Sequence, residues 1–129
     1  MDFPKVCYIT SQEPFLVKEK LNEIKLAFIN KFMGINFKKI KSEELKNEIE
    51  IMPFFADKKM LLLEAKDNEK EAEILKNVPD FCSVIIINEL DKRKKLYKTI
   101  QEVGKIIELE PYDESQMKNW VIKVGEKMG

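Results

Sequence analysis

Four carboxylates are the side chains best placed for catalysis, because each lies at or just beyond the end of a segment that the sequence predicts to be a strand. They are Glu64, Asp67, Glu89 and Asp91. Paired carboxylates can act as general acid and base or can bind magnesium. Acids at strand ends are nevertheless mostly caps and solvated turns in a chain with 23 acidic residues among 129. A magnesium-dependent enzyme using Glu64 and Asp91 is therefore only the third of our hypotheses.

The turn after the first predicted strand, TSQEPF, lacks the residues that hold a nucleotide phosphate. A phosphate loop needs glycines, whose backbone N–H groups surround the phosphates, and a lysine that reaches them. No glycine lies between Met1 and Phe32, and Glu13 would repel a phosphate. The sequence therefore predicts no nucleotide hydrolysis at this turn and no bound cofactor.

Metal and nucleophilic chemistry are also disfavoured. The chain contains no histidine, the commonest general base and metal ligand. Cys7 and Cys82 lie in the apolar segments KVCYI and DFCSVIII, so we expect both to be core residues. Two cysteines without histidine cannot complete a zinc site, and we expect no bound metal.

The segment DKRKKLYK, residues 91–98, is the densest basic run in the chain. Its cations are Lys92, Arg93, Lys94, Lys95 and Lys98. Such a run could contact the phosphate backbone of DNA or RNA. The pattern is more typical of the exposed side of a helix, here one that begins near Lys92 with Leu96 facing inward. Both interpretations stay open.

Two adjacent phenylalanines occupy a connection where a polar turn would be expected. Phe54 and Phe55 follow Pro53, between a helical pattern that ends at Met52 and a strand that begins near Lys59. Adjacent side chains do not share one face of a helix or strand, so at least one ring should point away from the core. A protruding aromatic pair is typical of an interface hot spot. Packing of both rings in the core stays the alternative.

Alternating strands and helices must position these residues. Strands are predicted at residues 6–10, 35–40, 58–65, 82–88 and 105–110, the second at an edge and the fourth in the centre. Helices are predicted at residues 11–32, after Ser42, and at 68–78, 94–103 and 113–128. This order predicts an α/β fold with a five-stranded, mostly parallel sheet and helices on both faces.

The composition is that of a soluble globular domain, with 44% hydrophobic and 36% charged residues. Acidic and basic residues balance at 23 each, so the whole chain has no net attraction to nucleic acid or anionic membrane. We recognise no signal peptide and no membrane-spanning run, which favours the cytoplasm.

Four segments, in this order, resemble the N-terminal part of the delta subunit of bacterial DNA polymerase III, the clamp-loader component that binds and opens the sliding clamp. They are YITSQEPFLVKEKLNEIK, MPFFADKKMLLLEA, SVIIINELDKRKKLYKTI and GKIIELEPYDESQMKNWV. The resemblance implies an AAA+ ATPase module that has lost its phosphate loop, in agreement with the first turn. It implies an AAA+-like domain at residues 1–111 and, at 112–129, the first helix of a truncated lid domain.

The resemblance also implies a binding site and partners. In the family, a hydrophobic pair at the tip of a short helix inserts into a pocket on the clamp, and by position this pair falls on Phe54 and Phe55. The flanking residues are Met52, Pro53 and Ala56. The implied partners are the sliding clamp (beta subunit), other clamp-loader subunits through regions missing here, and primer–template DNA near the basic run. No membrane is implied.

The leading hypothesis is therefore a clamp-loader subunit domain that binds the sliding clamp through an exposed hydrophobic wedge and helps to open the ring during DNA replication. We expect no ATPase activity of the domain itself. Membership of the family would place it in the DNA-directed DNA polymerase III holoenzyme, a nucleotidyltransferase. The alternative is a nucleic-acid-binding α/β domain that uses the basic run at residues 92–98.

Overall fold

The computed structural model describes residues 3–111 and 120–124, and at residues 111 and 120–124 only the backbone is considered. The strands are β1 (Val6–Ser11), β2 (Phe37–Lys41), β3 (Lys59–Glu64), β4 (Cys82–Ile86), β5 (Lys105–Pro111) and β6 (Trp120–Val124). The helices are α1 (Pro14–Phe32), α2 (Leu45–Glu50), α3 (Glu69–Leu75) and α4 (Lys95–Val103).

The strands form one sheet in the order β2-β3-β4-β1-β5-β6. Strands β1 to β5 are parallel to one another, as the sequence predicts. Strand β4, an unbroken apolar run except for Ser83, lies inside the sheet with all five residues buried. Strand β2, whose three lysines are exposed, forms an edge. Both placements agree with the predictions for the fourth and second strands.

Helices cover both faces of the sheet, because neighbouring residues of each buried strand point to opposite faces. Val6 and Tyr8 of β1 belong to one apolar cluster, whereas Cys7 and Ile9 belong to the other. The first cluster includes buried residues of α2, α3 and α4, namely Leu45, Ile49, Ala72, Leu75, Leu96 and Ile100. The second includes those of α1, namely Leu16, Val17, Ile24 and Phe28. The predicted α/β architecture is confirmed.

The prediction of a final helix is wrong at residues 120–124. Trp120–Val124 is a strand that pairs antiparallel with β5, from Ile107 opposite Val124 to Pro111 opposite Trp120. The segment WVIKV is rich in β-branched residues, and the edge of β5 offers unpaired backbone groups. The rest of the predicted lid helix lies outside the described residues, where the assignment to a lid domain stays a prediction.

Two local boundaries also differ from expectation. Helix α1 ends at Phe32, and residues 34–36 form a 3₁₀ turn rather than the start of β2. Helix α2 ends at Glu50, and Ile51 has an extended backbone. Met52 therefore cannot continue the helical pattern and is exposed. In the part of the chain that the structure describes, no helix is long and apolar enough to cross a membrane.

Candidate functional site: an exposed aromatic wedge

The aromatic wedge, formed by Phe54 and Phe55, lies at the surface of the molecule. Phe54 is 54% exposed and Phe55 is 83% exposed, and their ring centroids are 4.3 Å apart at an interplanar angle of 70°. Packing of both rings in the core, the alternative left open by the sequence, is wrong. Of the flanking residues predicted from the resemblance, Met52 is exposed, and Pro53 and Ala56 are partly exposed.

The wedge loop, residues 51–58, connects the end of α2 to the start of β3. Because the first five strands are parallel, the amino ends of β2 and β3 lie at the same edge of the sheet. The wedge is therefore at the amino edge, opposite the carboxyl edge where parallel α/β sheets bind nucleotides.

A buried lysine fastens the start of the wedge loop. The ammonium group of Lys59 donates hydrogen bonds to the backbone carbonyls of Glu48 and Ile51, the latter at 3.0 Å. A cation is favourable there, because a helix exposes unpaired carbonyls at its carboxyl end. The Glu48 carboxylate lies 3.8 Å from Lys59 and 2.6 Å from Lys38. Burial lowers the pKa of Lys59, an effect that Glu48 opposes.

The side chain of Asn36 fastens the middle of the loop. Its Oδ1 accepts a hydrogen bond from the backbone N–H of Phe54 at 2.6 Å. Its Nδ2 donates to the backbone carbonyl of Phe54 at 2.9 Å and to that of Phe32 at 2.8 Å. Asn36 is only 6% exposed. The amide thus connects the end of α1 to both backbone polar groups of one wedge residue.

Phe55 has an unusual backbone conformation for an aromatic residue. Its φ is 52°, in the left-handed region that favours glycine. Such a conformation costs about 1–3 kcal/mol in a residue with a side chain and is found mostly where function requires it. The strain and the exposure of the ring together indicate a residue that is not there for stability.

Sequence reasoning did not identify Asn36, Lys59 or Ile51 as parts of this site. Asn36 was assigned to a strand, although the sequence GIN after a helix is typical of a turn. Lys59 is a charged residue at the head of an apolar strand, which is a signal of a buried cation with partners. Ile51 is exposed beside Met52 and extends the apolar surface.

The basic run is exposed but partly neutralised. Helix α4 begins at Lys95, and Leu96 is buried as expected. Three cations of the basic run form ion pairs. Lys92 lies 3.9 Å from Glu108, and Arg93 lies 3.0 Å from Asp91. Lys95 lies 3.0 Å from Glu73. Lys94 and Lys98 form no ion pair with any residue that the structure describes. The run follows β4, so it begins at the carboxyl edge of the sheet, away from the wedge.

The predicted carboxylates form turns rather than a catalytic pair. Glu64 and Glu89 are exposed. Asp67 accepts a hydrogen bond from the backbone N–H of Asp91 at 2.9 Å. The guanidinium of Arg93 hydrogen-bonds the Asp91 carboxylate and lowers its pKa to about 2. Among the described residues, no three acidic, cysteine or histidine side chains are grouped as metal ligands.

The carboxyl edge holds a cavity of about 520 Å³ between the ends of β1, β4 and β5. Its charged lining consists of Glu13, Glu89, Lys92, Glu108 and Glu110. Four carboxylates against one ammonium group disfavour a phosphate.

The backbone at the start of α1 also offers few N–H groups to an anion. The Glu13 N–H donates to Ser11 Oγ at 3.1 Å, and the Leu16 N–H donates to the Glu13 carbonyl at 3.0 Å. Pro14 has no N–H to offer. Ser11 Oγ itself donates to the Leu109 carbonyl at 2.7 Å, which joins the turn to β5.

Fold and site together define a class of protein, an α/β domain with a parallel sheet, without a phosphate loop and with an exposed apolar loop at the opposite edge. The family model of the DNA polymerase III delta subunit matches residues 8–110. The chain therefore belongs to the DNA polymerase III delta subunit family.

A solved structure that is similar over most of the chain is the Bacillus subtilis DNA clamp loader delta protein (YqeN). The TM-score is 0.66 at 13% sequence identity, with 88% of this chain and 40% of that chain covered. At this identity the similarity concerns the fold. The chain spans less than half the length of that protein. No curated protein sequence matches the chain.

Proposed function

We propose that this chain is the clamp-binding part of a clamp-loader delta subunit, and that Phe54 and Phe55 enter an apolar pocket on the sliding clamp. The observation that carries the proposal is the exposure of both rings, 54% and 83%, on a loop that the fold holds in place. Phenylalanine has few torsions to freeze on binding and a large apolar area to bury, which suits a hot-spot anchor.

The proposed role in opening the clamp ring requires that the wedge binds the open and the closed forms of the ring with different affinities. A wedge that binds the open ring more tightly than the closed ring shifts the equilibrium towards the open form, whereas equal affinity would shift nothing. This mechanism requires no ATP chemistry of the chain itself. We assign ATP hydrolysis to other loader subunits, which would assemble with this one in the cytoplasm through regions beyond this chain.

The proposal is tested by the dissociation constant of the 129-residue chain for its cognate clamp. We expect Phe54→Ala and Phe55→Ala each to weaken binding by about 2 kcal/mol or more, which is roughly 30-fold. Phe15→Ala is the matched control, because Phe15 is 52% exposed but begins α1 at the carboxyl edge. Equal affinity of the wild type, both wedge variants and the control would overturn the proposal.

A second candidate function, DNA binding, is favoured by two cations that form no ion pair with a described residue, Lys94 and Lys98. Backbone contacts by these residues predict an affinity for primer–template DNA that falls steeply with salt. We expect Lys94→Glu and Lys98→Glu to weaken it, and Lys46→Glu on α2 to leave it unchanged. Absence of DNA affinity at low salt would exclude this function for the chain.

A further inference from the structure

We propose that Asn36 is a positioning residue that presets the aromatic wedge in its docking conformation before the partner arrives. This inference rests on the proposed function, since it names the residue that prepares the same site. Asn36 is only 6% exposed, so its side chain acts through the residues that it contacts and not by touching a partner protein.

The first step of the argument is hydrogen-bond geometry. A primary amide offers two N–H donors and one carbonyl acceptor with two lone pairs. Asn36 uses both donors on backbone carbonyls, those of Phe32 and Phe54, and uses its acceptor on the Phe54 N–H. Engaging both polar groups of a single residue fixes the position of that residue and the direction in which the chain leaves it.

The second step is the conformation that follows. Phe55 comes directly after the fixed residue and has a φ of 52°, which a phenylalanine does not adopt freely. Such a conformation persists only where its surroundings determine it. The start of the loop is held at the Ile51 carbonyl by Lys59, so the only residues between the two fastenings are Met52 and Pro53.

The third step is the effect on binding. A loop that visits its docking conformation for only a fraction of the time binds with an affinity reduced by that fraction. Preordering the loop avoids this loss, and it also keeps two apolar rings from packing elsewhere on their own domain. Asn36 would therefore raise clamp affinity without contacting the clamp, acting through the population of the competent loop.

The experiment compares Asn36→Ala and Asn36→Asp with the wild-type chain in clamp binding and in amide hydrogen exchange. Aspartate keeps the shape and the acceptor but places a carboxylate oxygen where both donors were, opposite the Phe32 and Phe54 carbonyls. We expect about tenfold weaker clamp binding in each, mainly through a slower association rate. We also expect faster exchange of the Phe54 amide with unchanged exchange in β1 and β4. The control is Asn77→Ala, which removes an exposed amide bonded to the Glu73 carbonyl at the end of α3.

A double variant distinguishes positioning from a general loss of stability. In the Phe55→Ala background, Asn36→Ala should weaken clamp binding less than it does in the wild type, because its target ring is gone. Equal effects in the two backgrounds, or wild-type affinity of Asn36→Ala while Phe54→Ala and Phe55→Ala bind weakly, would overturn this inference and leave the proposed function standing. Wild-type affinity of both wedge variants would overturn the two together.

Discussion

Phe55 combines an exposed ring with a left-handed backbone, and both properties act against folding stability. A large apolar side chain gains little free energy where it stays in water, and the left-handed region adds a steric cost. A residue with both properties is explained by binding better than by folding.

The first prediction follows from the left-handed backbone of Phe55. Glycine adopts the left-handed region without cost, so Phe55→Gly should unfold with a free energy about 1 kcal/mol higher than that of Phe55→Ala. Both variants should lose clamp affinity alike. Urea denaturation of the two variants measures the difference. If the glycine variant is the less stable one, the backbone at this position is not strained.

Asp91 provides a prediction at acidic pH. The Arg93 guanidinium lowers its pKa to about 2 from 3.8, so the carboxylate form is favoured in the folded chain. The stabilising contribution of the pair is therefore complete above pH 3.8 and is lost as the pH falls towards 2. Carboxyl NMR titration should give a midpoint near 2 in the wild type and a higher one in Arg93→Gln, which keeps the backbone hydrogen bond from residue 93 but loses the guanidinium. Identical midpoints would show that the pair does not persist in solution.

Sequence reasoning located the wedge but not the residues that hold it. Two neighbouring rings after a proline indicated that at least one ring points away from the core, because adjacent side chains diverge in any regular backbone. The role of Asn36 could not be read in the same way, because its partner Phe54 is 18 positions away and is contacted through backbone atoms. A hydrogen bond to backbone atoms does not depend on the side chain of the partner residue, so the sequence carries no signal of it.

At the scale of elements, Lys59 connects three of them, since it starts β3, caps α2 and fastens the wedge loop. We predict that Lys59→Met lowers the free energy of unfolding by about 2 kcal/mol, because the Glu48 and Ile51 carbonyls lose a charged donor. Lys58→Met is the matched control, since Lys58 only bonds the Asp80 carbonyl at the surface. Urea titration measures both, and equal stability of the two variants would contradict the prediction.

The elements themselves were largely predictable because their hydrophobic periods differ. Unbroken apolar runs such as residues 82–86 form buried parallel strands, whereas the three-to-four spacing of Val17, Leu21, Ile24 and Phe28 forms a helix. The segment at Trp120–Val124 satisfies either period over its short length. Its pairing with β5, a contact across the sheet, decides the outcome.

At the scale of the whole molecule, β6 extends the sheet beyond β5 and forms its outer strand. A chain ending at Pro111 should be less stable than one ending at Val124, because it lacks the backbone hydrogen bonds between β5 and β6. Urea titration of the two truncated chains tests this expectation. If the shorter chain is equally stable, residues 1–111 are a self-sufficient domain, as the sequence predicts.

The candidate sites lie at opposite edges of the sheet. The wedge lies at the amino edge of the parallel strands, whereas the basic run and the acidic cavity lie at the carboxyl edge. A partner on the wedge would leave the other edge accessible. This separation could not be predicted from the amino-acid composition, because it depends on which end of each strand a loop joins.

The two native thiols have a practical consequence. Cys7 and Cys82 are both buried, and burial raises the pKa of the Cys82 thiol to about 11. Because only a thiolate attacks a maleimide at a useful rate, the native cysteines should remain unlabelled at neutral pH. Asp57→Cys, at an exposed position just beyond the aromatic pair, would then accept a single fluorophore without any cysteine being removed. Changes in the emission of this fluorophore would report docking of the aromatic wedge on the clamp in real time, with both phenylalanines intact.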